Sequence, residues 1–234
     1  KKTRILLSIL ERLHKHIEYF PIDISKILKE SSTILLDDYE NLHITGIIDN
    51  YESGLEFIKN YDNKKNLIAF LGSSFGNFDY EHGLKFLQKV NSSMKKNDLF
   101  LIGLDLVKDK TVLERAYNDS QGVTAKFNLN VLSRINSELD SNFNINKFAH
   151  HAFYNEYKNR VEIYLRSLEN QTVKIHKAGM VLPIKQDELI HTENSYKYTI
   201  SKIKEIFSIS SFRIKDIWFD EKQYFCLVLL SKND

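Results

Sequence analysis

The sequence predicts an α/β fold: a doubly wound, mostly parallel sheet that closes with an antiparallel hairpin and carries an inserted α+β lobe. Three observations predict it. From residue 4 to residue 118, short apolar runs alternate with stretches of helical periodicity, as strands feeding crossover helices do. Between Gly122 and Ser195 the pattern changes to one helical stretch followed by closely spaced strand-like runs. At the end, apolar runs over 212–219 and 224–230 flank the polar Asp220-Glu221-Lys222-Gln223, a spacing that suits an antiparallel hairpin.

Taken in order, Ile5, Leu6, Ile9, Leu10 and Leu13 share one face and predict a helix over 4–16. Residues 17–22 read as a strand with Pro21 near its end, and Ser25 as the N-cap of a helix over 26–38. A strand over 41–48 ends at Asp49-Asn50-Tyr51 and is followed by a helix over 52–61. Leu67, Ile68, Ala69, Phe70 and Leu71 read as a strand buried on both faces, running into Gly-Ser-Ser-Phe-Gly-Asn. In that loop Gly72 and Gly76 let backbone approach a ligand closely. A helix over 80–94, a strand over 99–106 and a helix over 110–118 follow. Beyond them come a helix over 123–139 and a meander over 148–154, 160–168 and 172–176, with short apolar segments at 182–184 and 189–191. A helix over 196–207 precedes the hairpin. The expected division is a core over 1–121, an inserted lobe over 122–195, and a closing helix and hairpin over 196–234.

Composition narrows the function. Hydrophobic residues are 42% of the chain, enough for a packed core. Lys and Arg number 33 against 31 Asp and Glu, a balance that gives no charge-based reason for a nucleic-acid or membrane partner. The one cysteine, Cys226, lies in an apolar run; it reads as core packing in a reducing, cytoplasmic compartment. No apolar stretch has the length to span a bilayer, and no signal-peptide pattern opens the sequence. His14 with His16, and His150 with His151, lack a third ligand at useful spacing, so no metal site is expected.

Asp23, Asn50 and Asn77 follow three successive strands and so line one edge of a doubly wound sheet, where ligands bind. A carboxylate there accepts from ribose hydroxyls, and Asn50 beside Tyr51 suits the edge and face of an adenine. Each residue alone also reads as a turn or a helix cap; together they favour an adenosine-containing cofactor. The dinucleotide fingerprint Gly-x-Gly-x-x-Gly is absent. The terminal hairpin turns the choice to S-adenosylmethionine.

The segments FLGSSFGNF, GLDLVKD, AYND, GVTAKFNLNVL and HTENSYKY, in this order and at these separations, resemble the histidine-specific Nα-methyltransferases of ergothioneine biosynthesis. The resemblance runs from Lys2 to the final hairpin, and the fungal dimethylallyltryptophan N-methyltransferases share part of it. It implies a class I S-adenosylmethionine-dependent methyltransferase fold and methyl transfer to the α-amino group of L-histidine. It implies that Lys2 lies at the cofactor, Asp23 on its ribose, and Asn50 with Tyr51 at its adenine; Gly72, by its backbone freedom, is read as a further cofactor-binding residue. Asn77 and Tyr117 would hold the amino-acid end of the substrate as the catalytic pair, Tyr117 orienting the amine, with no strong general base. Glu193 and Ser195 would hydrogen-bond the imidazole, and Ile163 would pack against the substrate. The side-chain chemistry agrees, since a carboxylate accepts from one ring N–H and a hydroxyl serves the other nitrogen.

Two departures accompany the resemblance. Asn50 stands where the family has an acidic residue, although an amide oxygen still accepts from an exocyclic amine. The family's glycine-rich loop, the strand feeding it and a helical lobe lie ahead of the matching segment. The strands at 17 and 66 are therefore expected to face a gap with unpaired backbone, and the sequence as given to be inactive alone. At full length a monomer is expected. Two other readings stay open: the same chemistry on another aromatic amino acid, such as a tryptophan derivative, or a non-catalytic chain whose sheet a partner completes.

Overall fold

The computed structural model describes residues 2–61 and 64–233. Helix α1 (Lys2–Leu13) leads into β1 (Ile17–Tyr19), α2 (Ile27–Asp38), β2 (Leu42–Ile44) and α3 (Tyr51–Tyr61). β1 and β2 pair in parallel, Ile17 opposite Leu42, and a further bridge joins Ile22 to Ile47. Leu7, Ile17, Tyr39 and Leu42 form a small core that seals α1 onto this pair. The helix after Pro21 starts one residue later than predicted. Lys26 holds the cap position, and Ser25 contributes through its hydroxyl, which accepts from Ile27 N–H at 3.3 Å.

The chain continues through β3 (Leu67–Phe70), α4 (Tyr80–Ser93), β4 (Leu99–Asp105), α5 (Lys110–Tyr117) and α6 (Val123–Leu139). Then come β5 (Phe148–Asn155), β6 (Arg160–Ser167), β7 (Gln171–Ile175), β8 (Met180–Ile184) and β9 (Leu189–Tyr196). Helix α7 (Ile200–Ile209) and strands β10 (Phe212–Phe219) and β11 (Phe225–Lys232) complete it.

The main sheet has the order β10-β11-β4-β3, with β3 parallel to β4 and the terminal hairpin antiparallel, as predicted. β4 and β11 are its buried centre. Phe100, Ile102, Val228 and Leu230 are inaccessible to solvent there, packed with Leu87 and Val90 of α4 and with Ile203 and Phe207 of α7. Burying each such side chain contributes roughly 1.5–3 kcal/mol. Burial also pushes the Cys226 thiol up to about 11, so this cysteine is a packing residue.

β3 is not the doubly buried strand that its apolar run suggests. Leu67 is 43% exposed, because β3 pairs with β4 on one side only, among the described residues. β1 and β3 belong to different sheets. The meander also differs from expectation. β9 runs on to Tyr196 and pairs with β6, while β7 and β8 form a separate hairpin. Residues 196–199 are consequently not helical, and α7 starts at Ile200 under a Thr199 cap whose hydroxyl accepts from Lys202 N–H.

Candidate functional site

β6 and β9 are antiparallel, with Val161 opposite Ser195 and Ile163 opposite Glu193. The register then slips, so that Tyr164 faces His191 and Thr192 is an extra residue whose hydroxyl donates to the Ile163 carbonyl at 3.1 Å. Such a bulge re-aims the side chains beside it. Cross-strand partners share a face, so Glu193 and Ser195 point the same way as the buried Val161 and Ile163. That face carries Leu113 and Tyr117 of α5.

Helix α5 is fixed at both ends. Asp109 caps its start by accepting from the Thr111 and Val112 N–H groups. At its end, Glu114 accepts from Tyr154 N–H at 3.1 Å and the Asn118 amide donates to the Ala152 carbonyl at 3.0 Å. His150 Nε2 lies 2.8 Å from the Tyr117 carbonyl. With the helix held against β5, the Tyr117 hydroxyl donates to Ser195 Oγ at 2.7 Å.

Below this pair lies Lys197, its side chain wholly buried. Its ammonium is 2.8 Å from the Asp105 carboxylate, 2.8 Å from Tyr117 Oη and 2.8 Å from Ser195 Oγ. Asp105 ends β4 and also takes Lys108. The segment after β9 is laced to the same strand end, with Tyr198 N–H on the Asp105 carbonyl and Val107 N–H on the Tyr198 carbonyl. Neither Lys197 nor Asp105 is among the residues that the sequence reading brings forward. The available signal is period: Glu193, Ser195 and Lys197 are two residues apart, which puts them on one face of an extended chain.

Asn77 arrives from the other side. It ends a short 3₁₀ turn, Ser74–Asn77, and its side chain hydrogen-bonds Glu193. The turn lies so close to β9 that a Cβ at Gly76 would sit 2.8 Å from the Tyr196 carbonyl oxygen. Burial raises the Glu193 carboxyl above its ordinary value, with Lys197 and Asn77 opposing the shift. Asn77, Tyr117, Ile163, Glu193 and Ser195 therefore surround one place.

Of the remaining candidates, Lys2 opens α1, and Asp23, Asn50 with Tyr51, and Gly72 follow β1, β2 and β3. Asp23 Oδ1 accepts from Ser25 N–H at 2.8 Å, and Asn50 Oδ1 accepts from Ser53 N–H at 2.9 Å. Both thus act as turn or cap residues, yet each keeps further hydrogen-bonding capacity, Asp23 on its second oxygen and Asn50 on its amide nitrogen. The Tyr51 ring, 41% exposed, stands edge-on to Phe70 and Phe86. Gly72 has φ +96°, a Cβ on it would lie 3.4 Å from Lys2 Nζ, and its carbonyl oxygen would lie 2.8 Å from a Cβ at Gly103. Lys2 and Gly72 thus lie together, while Asp23, Asn50 and Tyr51 offer a carboxylate, an amide and an aromatic face after β1 and β2. These groups fit S-adenosylmethionine, with its carboxylate, ribose and adenine.

The fold is that of a class I S-adenosylmethionine-dependent methyltransferase. The PH0226 protein of Pyrococcus horikoshii OT3 shares the fold, with a TM-score of 0.52 at 11% identity over 99% of this chain and 78% of that one. The histidine N-alpha-methyltransferase of Mycobacterium tuberculosis (strain CDC 1551 / Oshkosh) is 33% identical over 99% of this chain and 72% of its own length. That of Mycolicibacterium smegmatis (strain ATCC 700084 / mc(2)155) is 30% identical over 98% and 71%. The family model of the S-adenosylmethionine-dependent histidine-specific methyltransferases matches residues 1–232, and the chain belongs to that family.

Proposed function

We propose that this protein methylates the α-amino nitrogen of L-histidine, using S-adenosylmethionine. One observation carries the substrate reading: a carboxylate and a hydroxyl, Glu193 and Ser195, stand two residues apart on one strand face inside a closed polar cluster. Alternate residues on a strand are about 6.7 Å apart, a span that brackets a ring with a hydrogen-bonding nitrogen on each side. Residues 122–195 act as the substrate lobe, Ile163 giving the ring an apolar wall beside the polar pair.

When bound, S-adenosylmethionine supplies a methyl group on a sulfonium. Lys2, Asp23, Asn50, Tyr51 and Gly72 would hold it. Tyr117 Oη accepts from Lys197 and donates to Ser195, which leaves one lone pair to accept an N–H of the substrate amine. Held this way, the neutral amine keeps its own lone pair for attack. Asn77 has an amide to anchor the substrate carboxylate. Transfer would form the N–C bond as the sulfonium S–C bond breaks, and the amine proton would leave to solvent. Positioning supplies most of the acceleration. The reading places the protein in the cytoplasm, at the histidine-methylating step of ergothioneine formation. Among the described residues, no helix is long and apolar enough to cross a membrane.

The test is mass-resolved methyl transfer by the full-length protein, with histidine, tryptophan, phenylalanine and glutamine as acceptors. Histidine alone should gain methyl groups, and Glu193→Ala should cut its advantage by about 10- to 100-fold. A wild-type preference for tryptophan, or an unchanged preference in Glu193→Ala, overturns the reading.

A further inference from the structure

Lys197 has three N–H donors, and three acceptors use them: Asp105, Tyr117 and Ser195, each at 2.8 Å. Tyr117 gives its single proton to Ser195. Ser195 Oγ thereby accepts twice, which fills its acceptor capacity. Its own O–H is what it can offer a ligand. The buried ammonium thus fixes the direction of the whole chain of hydrogen bonds.

We propose that Lys197 is a specificity-determining positioning residue: by making Ser195 an obligate donor, it selects the neutral imidazole ring and rejects imidazolium. A neutral ring has one N–H and one lone pair. The N–H goes to Glu193 and the lone pair receives the Ser195 proton. Imidazolium carries N–H on both nitrogens, so one of them meets the Ser195 O–H head to head, close to a buried cation. This inference rests on the histidine reading above.

The charged and titratable groups around Ser195 come from every element that packs there. They are Asp105 at the end of β4 with Lys108 just beyond it, Tyr117 on α5, His150 on β5, and Glu193 and Lys197 on and after β9. Glu193 can itself change charge, so the experiment needs a ligand whose ring does not. Triazolylalanine serves, since its ring stays neutral across the range used. The dissociation constants of histidine and of triazolylalanine are measured by calorimetry between pH 5 and 8, and their ratio cancels the titration of Glu193.

In the wild type the ratio should rise about tenfold per pH unit below the imidazole value of about 6.5. In Lys197→Met, Ser195 regains an acceptor lone pair, and the ratio should stay flat within about threefold over that range. Tyr117→Phe, which frees one acceptor lone pair on Ser195 and leaves the Lys197–Asp105 pair intact, should lessen the slope as well and carries the test if Lys197→Met does not fold. A wild-type ratio that is flat or falls toward acid overturns the inference while leaving histidine recognition standing. So does an undiminished slope in both variants. Failure of the wild type to bind histidine at any pH is the separate result that removes the histidine reading, and this inference with it.

Discussion

The Tyr117 hydroxyl lies 2.7 Å from Ser195 Oγ, although 78 positions separate the two residues. Tyr117 ends the last helix before the β5–β9 region and its leading helix α6, and Ser195 stands at the end of that region's final strand. One hydrogen bond therefore closes the whole excursion back onto its starting point. Lys197 reinforces the closure by reaching both partners and Asp105, tying the excursion to the central strand of the main sheet. Pairing these segments requires closing a long loop, so their register is maintained by packing and by the Thr192 bulge, not by proximity in sequence.

Ionisation of Glu193 should cost stability. Burial holds its carboxyl above the ordinary value in the folded protein, and no such burial exists in the unfolded chain. The folded state therefore binds the proton more tightly. The cost is absent below the unfolded value and complete above the folded one. Glu193→Gln removes the ionisation and keeps the shape. It should raise the melting temperature at pH 7–8, by about 1–3 °C given that solvent screens a half-buried group, with the gain fading toward pH 4. Equal gains at pH 4 and pH 8 in thermal scans would contradict this. The same exchange should weaken histidine binding, because an amide replaces the acceptor meant for the ring N–H.

On the opposite face of β6, Glu162 is 5% exposed and carries a charge. Its Oε1 accepts from Arg160 Nε at 2.9 Å, Arg160 Nη2 at 2.7 Å and Asn155 Nδ2 at 3.0 Å, and its Oε2 accepts from the Tyr164 hydroxyl at 2.6 Å. Burial works against the charge, yet the bonds from Tyr164 and Arg160 prevail and hold the carboxyl below its ordinary value. Arg160 also donates to the Tyr196 hydroxyl at 2.7 Å, which locks β9 beside Ser195. Arg160→Met removes two of these four bonds and the nearest cation, leaving Tyr164, Asn155 and, at 4.0 Å, Lys158, and should cost about 3 kcal/mol, a fall of roughly 6–12 °C in melting temperature. Arg160→Met/Glu162→Leu should recover most of the loss, because the uncompensated charge is gone. Additive losses in the double variant, read by denaturant titration, would refute a role for the pair as a unit.

Much of this is legible in the sequence because it depends on local chemistry. Helix α6 has the predicted bounds, and Asp23, Asn50 and Asn77 lie in the segments that follow β1, β2 and β3, since alternating apolar runs and polar loop residues report element type directly. Tyr117, Glu193 and Ser195 are placed by resemblance, and the fold brings them together. What the pattern hides is pairing. Leu67–Phe70 looks like an interior strand, yet its exposure depends on neighbours that no local run encodes. Thr192 to Tyr196 is too polar to read as strand, because its residues face a polar cluster and not an apolar core. Lys197 escapes notice for the same reason. Lysine normally signals solvent, and only the combined acceptors of Asp105, Tyr117 and Ser195 make its burial tolerable.

Gly76 should matter more to activity than its lack of a side chain suggests. The turn Ser74–Asn77 presents Asn77 to Glu193 only because it lies directly on the end of β9. A Cβ at position 76 would fall 2.8 Å from the Tyr196 carbonyl oxygen and 3.4 Å from its nitrogen. Both obstacles are backbone, and that backbone is paired with β6 at Arg160, so it has little freedom to yield. The turn must then lift, and Asn77 with it. Gly76→Ala should cost about 1–3 kcal/mol of stability from overpacking. It should also lower kcat/KM for histidine by up to about 100-fold, since a displacement near 1 Å is enough to spoil a reactive geometry. Gly179→Ala separates the two effects. Gly179 has φ +61°, a Cβ there would meet nothing within 4 Å, and the residue lies in the turn before β8. Strain there should cost about 1 kcal/mol while kcat and KM stay at wild-type values. If the two variants lose activity only in proportion to the unfolded fraction, the contact between Gly76 and Tyr196 has no part in placing Asn77.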